Sequence, residues 1–275
     1  MHRPTGPIGI YDSGVGGLSV LREVRGLLPA EDLIYVGDQA HVPYGLRDMQ
    51  EIQQLTEGVT RFLLDQDCKL IVIACNTASA AGLKLMREKY PQVPFVGMEP
   101  AVKPAAEQTH SGKVGVLATP TTFSGQLYAS VVERFAHDVQ LFTSTSPGLV
   151  AQIEKGNLDT PKTRKILEQA LLPMLQEGVD TLVMGCTHYP FVIPAIERIT
   201  AGKARVIDPA PAVARQVQRV LGQQNLLKPA MQPGTARFFT SGDPRRFSGL
   251  IRHLIGMEAE AQALRWEGTT LSVLP

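Results

Sequence analysis

Uninterrupted apolar runs, each closed by a turn, constrain this chain more than any other feature. They are PIGIY (7–11), LIYVGD (33–38), KLIVIAC (69–75), VPFVGME (93–99), KVGVLAT (113–119), VQLFTST (139–145), TLVMGCT (181–187), ARVID (204–208) and RFFTSG (237–242). Continuous Val/Ile/Leu runs without polar alternation are expected to be strands buried on both faces, which requires parallel sheets covered by helices. Amphipathic segments separate most of them. GVGGLSVLREVRGLL (14–28) climbs into a helix stopped by Pro29. Asp48 and Glu51 have capping-box spacing, with Asp as the cap, and open a helix that runs to about Asp65. NTASAAGLKLMREKY (76–90) is a helix closed by Pro91. The fold class is α/β.

The pattern repeats at a larger scale. PIGIYDSGVGG (7–17) and KVGVLATPTTF (113–123) are each a charge-free strand with an early glycine, then a turn of small residues. IVIACNTAS (71–79) and LVMGCTHYP (182–190) are each an apolar strand, a cysteine, a small polar pair and then a helix. Gly9 to Gly115 and Cys75 to Cys186 are nearly equal separations. The expectation is two pseudo-symmetric α/β domains, residues 1–98 with 211–275 and residues 99–210, facing each other. Ligands of open α/β sheets bind beyond the carboxyl ends of strands. Both cysteines lie at such ends, and two-fold related halves would place them on opposite walls of one cleft.

Composition removes several classes of partner. Among 275 residues, 44% are hydrophobic and 19% charged, and the net charge is +1 with no basic run or acidic tail, which gives no support for nucleic acid or an anionic membrane. No apolar stretch reaches the length of a membrane span. The opening MHRPTGPIGIYDSG lacks the pattern of a signal peptide, so a cytoplasmic location is expected. The three cysteines, Cys68, Cys75 and Cys186, are then expected to be reduced.

A cysteine on an apolar strand is by default a packing residue, and Cys68 reads that way. Cys75 and Cys186 differ, because Asn76–Thr77 and Thr187–His188 follow them and a helix start is expected to lower each thiol pKa. Zinc sites use cysteine pairs at C-x₂₋₄-C spacing, which is absent, so no metal is expected. A thiol hydrolase using Cys186 with His188 leaves the Cys75 motif unexplained, and a non-catalytic amino-acid-binding module needs neither thiol. Two thiols facing one carbon suit removal of an α-proton from one face and its return to the other. Asp12 and His188 are the natural tuners. The turn DSGVGG (12–17) lacks the lysine of a phosphate loop, but Ser13 and its free N–H groups suit a carboxylate. Pro43 and Gly45 of VPYG read as turn geometry, and Glu154 in QIEKGN as a solvated helix residue.

Taken together, IYDSGVGGL, VGDQAHVPYG, IACNTASA, GMEPAVKPA, MGCTHYP and VIDPAPAVA resemble the cofactor-independent glutamate racemases of bacteria over nearly the whole chain. The resemblance implies glutamate enclosed between the two halves, no cofactor, a homodimer, and supply of D-glutamate for peptidoglycan. It implies that Cys75 and Cys186 are the acid/base pair, assisted by Asp12, Glu154 and His188. The implied substrate contacts are Asp12, Ser13, Tyr44, Gly45, Asn76, Thr77, Thr187 and His188, with Thr119 or Thr121. Aspartate racemases are similar in design but tend to carry Glu where this chain has His188, which favours glutamate over aspartate. The tail at 256–275 matches no pattern and receives no role.

Overall fold

The computed structural model describes residues 5–229 and 232–274. Met1 to Pro4, where the signal-peptide reading begins, and Pro275 of the tail lie outside them. Two sheets carry the fold. Strands β1 (Ile8–Asp12), β2 (Leu33–Gly37), β3 (Leu70–Ile73) and β4 (Phe95–Gly97) belong to the first, and β5 (Lys113–Ala118), β6 (Gln140–Ser144), β7 (Thr181–Gly185) and β8 (Arg205–Ile207) form the second. The chain then returns to the first sheet with β9 (Ala236–Thr240), β10 (Ala261–Glu267) and β11 (Thr270–Val273).

The orders are β11-β10-β9-β2-β1-β3-β4 and β6-β5-β7-β8. Within the first sheet, β2-β1-β3-β4 has the arrangement of β6-β5-β7-β8, so the repeated motifs of the sequence occupy equivalent strands. All pairings are parallel except β10 with β11. In each half the first strand sits between the second and the third. The crossovers leave it in opposite directions, which opens a crevice at the carboxyl ends of β1 and β3, and of β5 and β7.

Local signals position the helices. Asp48 caps the helix Met49–Asp65 by accepting from the Glu51 N–H at 2.8 Å. Thr160, before Pro161, caps the helix Pro161–Gln176 in the same way. One apolar cluster runs from Ile8 and Leu18 through Leu117 and Leu149 to Met184 and Tyr189, so it crosses from one half to the other. The tail that received no role forms the β10–β11 hairpin, whose Leu264 and Leu271 join a second core with Tyr11, Tyr44 and Cys75. Among the described residues no helix is long and apolar enough to cross a membrane.

Candidate active site

The four crevice strands deliver the site. Asp12 ends β1, and Cys75 follows β3 as the extended N-cap of the helix Asn76–Lys89, its Sγ accepting from the Ala78 N–H at 3.5 Å. Thr119 follows β5 as the N-cap of the helix Pro120–Ser124, and Cys186 follows β7. After Cys186 the chain makes a 3₁₀ turn, Tyr189–Val192, before the helix Ile193–Thr200. Only Cys75 therefore stands directly at an α-helix start.

Cys75 and Cys186 line one small cavity with Ser13, Tyr44, Gly45, Asn76, Thr77, Thr119, Thr187 and His188. Its volume is about 10 Å³, room for roughly one water. Both thiols are free and buried. The amide of Asn76 has neither oxygen nor nitrogen bonded to another group, although the residue is only 3% exposed. A buried amide without partners among the described residues is costly, and this one stands in the cavity wall. Thr77 and Thr119 join hydroxyls across the two halves at 2.9 Å.

A charged chain lies behind Cys186. Its Sγ is 3.8 Å from Nδ1 of His188, whose Nε2 is 2.6 Å from Oε1 of Glu154. Glu154 also accepts from the Val15 N–H at 2.8 Å and from Nε2 of Gln39 at 2.9 Å. Burial favours neutral His188, but the Cys186 sulfur and the Glu154 carboxylate outweigh it and hold the imidazole pKa well above its usual range. Burial likewise works against the Glu154 carboxylate, and the bond from His188 more than compensates, holding its pKa low. The result is a buried imidazolium–carboxylate pair.

Cys75 has no such cation. Burial, reinforced by the Asp12 charge, pushes its thiol pKa up, against the bonds from Ala78 and Ser13. The expected lowering by the helix start is thus overturned at Cys75, because a dipole worth about 1 kcal/mol is smaller than the cost of burying a thiolate. Asp12 is fully buried; its carboxylate accepts from the Thr187 hydroxyl and the Gly14 N–H, both at 3.0 Å. Burial raises its pKa more than the cationic His188 lowers it.

Other expectations are sorted by position. Asp12 and Glu154 lie behind the cavity wall rather than in it. Glu154 is buried, not solvated, because Val15 and His188 from distant segments converge on it. Thr119 lines the cavity, whereas Thr121 donates to the Gly45 carbonyl at 3.0 Å on the cavity's lip. Cys68 packs in the core beside Gly9 and Leu63, with burial pushing its thiol pKa up to about 12. Sequence reasoning missed Val150, which lines the cavity, and took Pro43 for turn geometry alone. Gln39 was also missed; its signal was its place in VGDQAHVPYG.

Residues 17–217 match the family described as Asp/Glu/Hydantoin racemase. The chain is similar to a glutamate racemase of Ectopseudomonas mendocina, 50% identical over 261 residues, covering 94% of this chain and 98% of that protein. Among solved structures it is similar to a glutamate racemase isoform from Bacillus anthracis, with a TM-score of 0.87 at 30% identity, covering 98% of this chain and 100% of that one. It is also similar to the glutamate racemase from Francisella tularensis in complex with D-glutamate, with a TM-score of 0.83 at 27% identity over 95% and 98% of the two chains.

Proposed function

We propose, from the premise that this chain belongs to the Asp/Glu/hydantoin racemase family, that it interconverts L- and D-glutamate by two-base proton transfer. The observation that carries this is the placement of Cys75 and Cys186 on one cavity, each following the third strand of its half. One sulfur, as thiolate, takes the α-proton. The electron pair delocalises into the α-carboxylate, and the other thiol returns a proton to the opposite face. Asn76, Thr77, Thr119, Thr187 and the N–H groups near Ser13 and Tyr44–Gly45 suit the carboxylates. The imidazolium of His188 supplies the counter-charge when Cys186 gives up its proton, and Glu154 keeps that ring charged. Asp12 stands beside Cys75 and Thr187, where it serves the Cys75 step.

The same reading takes residues 1–98 with 211–275 as one domain and 99–210 as the other. It extends to a homodimer in the cytoplasm, without pyridoxal phosphate or metal, that supplies D-glutamate for peptidoglycan. Support for these last points is the family resemblance, and sedimentation of the purified chain tests the dimer.

A second reading has one observation in its favour. Cys186, His188 and Glu154 are ordered as nucleophile, base and orienting carboxylate. It leaves Cys75 without a task, and the two separate on one experiment. Incubation of L- or D-glutamate in D₂O is expected to incorporate α-deuterium with loss of circular dichroism. Cys75→Ala and Cys186→Ala are each expected to abolish racemisation, and Cys68→Ala to retain most of it. Racemisation near the wild-type rate in Cys75→Ala overturns the two-thiol mechanism.

A further inference from the structure

The C-terminal hairpin is linked by hydrogen bonds toward the cavity through Trp266. Trp266 on β10 donates its indole N–H to Oδ1 of Asp38 at 2.7 Å. Asp38 is fully buried, and its Oδ2 accepts from the Tyr44 hydroxyl at 2.7 Å. Ser241 donates to the same carboxylate at 2.6 Å, and Nδ1 of His41 lies 3.0 Å from it. The Trp266 ring meets His41 edge-on, with centroids 5.4 Å apart, and covers Gly58, where a Cβ would lie 2.4 Å from the indole. Tyr44 and Gly45, at the other end of this chain of bonds, line the cavity.

We infer that Trp266 is a positioning residue: it fixes Asp38, Asp38 fixes Tyr44, and the hairpin thereby sets the loop that holds a substrate carboxylate. This rests on the glutamate racemase reading. Three donors and a histidine converge on one carboxylate that is not among the residues lining this cavity. Such an arrangement has no chemical task at the α-carbon, but it holds two loops and the hairpin in fixed relation. A buried carboxylate that loses a donor reorganises around those that remain. Tyr44, whose hydroxyl depends on the same carboxylate, is the member in contact with the cavity.

The test is Trp266→Phe, which keeps an aromatic ring over Gly58 and removes the N–H. KM for both enantiomers is expected to rise roughly tenfold, with kcat changed less than about twofold. The double variant Trp266→Phe/Tyr44→Phe is expected to be no worse than Tyr44→Phe alone, since both cut one chain of bonds. Exposed Arg265→Ala on the same strand is the control and leaves KM unchanged. Trp266 is the only tryptophan in the sequence, so wild-type emission is expected to change saturably with glutamate, a readout that requires no variant to fold. An unmoved KM in Trp266→Phe, additive effects in the double variant, or emission indifferent to saturating glutamate overturns the inference. A wild-type chain that does not racemise glutamate overturns the racemase reading first, and this one with it.

Discussion

The Asp12 charge bears on Cys75 and His188 stands 3.8 Å from Cys186, and the consequence is measurable. Asp12→Asn is expected to impair mainly the direction in which Cys75 is the base, and His188→Asn the direction in which Cys186 is. By resemblance these start from D- and L-glutamate respectively. The equilibrium constant between enantiomers is one, so kcat/KM stays equal in the two directions. The asymmetry appears in kcat and KM separately, roughly a hundredfold in kcat on the affected side, and in isotope effects with α-deuterated substrates. Equal kcat losses and equal isotope effects in both directions refute the assignment of assistants to sides. The cysteines were legible in the sequence because a strand-end motif occurs twice, and a packing thiol gives no reason for the polar pair behind it. Glu154 was not legible from its own segment, since QIEKGN is an ordinary amphipathic stretch. Its burial is created by Val15, Gln39 and His188, remote in sequence.

Turns and strand ends hold these residues. In DSGVGG, a Cβ on Gly16 would lie 2.5 Å from Nδ1 of His188 and 2.8 Å from Oγ1 of Thr187. Gly16 therefore serves close approach between the two halves. Gly16→Ala is expected to displace His188 and lower kcat about a hundredfold with near-native circular dichroism. Wild-type kcat in that variant refutes the close-packing argument. A second element-scale case concerns stability. Asp180, just before β7, accepts from the Thr109 hydroxyl and the N–H groups of His110 and Ser111. Partial burial works against its charge, but these bonds prevail and lower its pKa from 3.8 to about 2. A folded-state pKa below the unfolded one adds stability that is full above about pH 4 and lost as pH falls toward 2. Asp180→Asn is thus expected to lose about 1 kcal/mol at neutral pH, allowing for solvent screening. That deficit vanishes in acid denaturant titrations, and an equal deficit at pH 7 and pH 2.5 contradicts the account. The buried strands were legible as unbroken apolar runs. The hairpin was not, because β10 is only partly buried and β11 is an exposed edge strand; their cue was the Gly268 turn in WEGTT.

At the scale of the whole molecule, a repeated strand order brings two crevices face to face, and the sequence repeat announced it. Their separation could not be read there, because it depends on contacts between distant loops. Those contacts close the site. Thr121 bonds the Gly45 carbonyl at 3.0 Å, a Cβ on Gly45 would lie 2.6 Å from Thr119, and Thr77 meets Thr119 at 2.9 Å. A cavity of about 10 Å³ is too small for an amino acid, which needs several times the space of one water. The lips at 42–46 and 119–125 are therefore expected to part and reclose around substrate, in the manner of active-site loops that exclude water from a reaction. The bonds named across the lip join side chains and loops, whereas β1, β3, β5 and β7 are held on both sides by neighbouring strands, so opening is expected to cost less than unfolding. Amide hydrogen exchange is then expected to be fast at the two lips without ligand and to slow there at saturating glutamate, while the central strands stay protected in both states. Glutamate in excess of its Kd also stabilises the closed form by mass action, about 2.7 kcal/mol at a hundred times Kd. Cys75→Ala, expected to bind without turnover, should show the same protection. Lip amides whose exchange is unchanged by bound glutamate would mean that substrate reaches the thiols by a route other than this mouth.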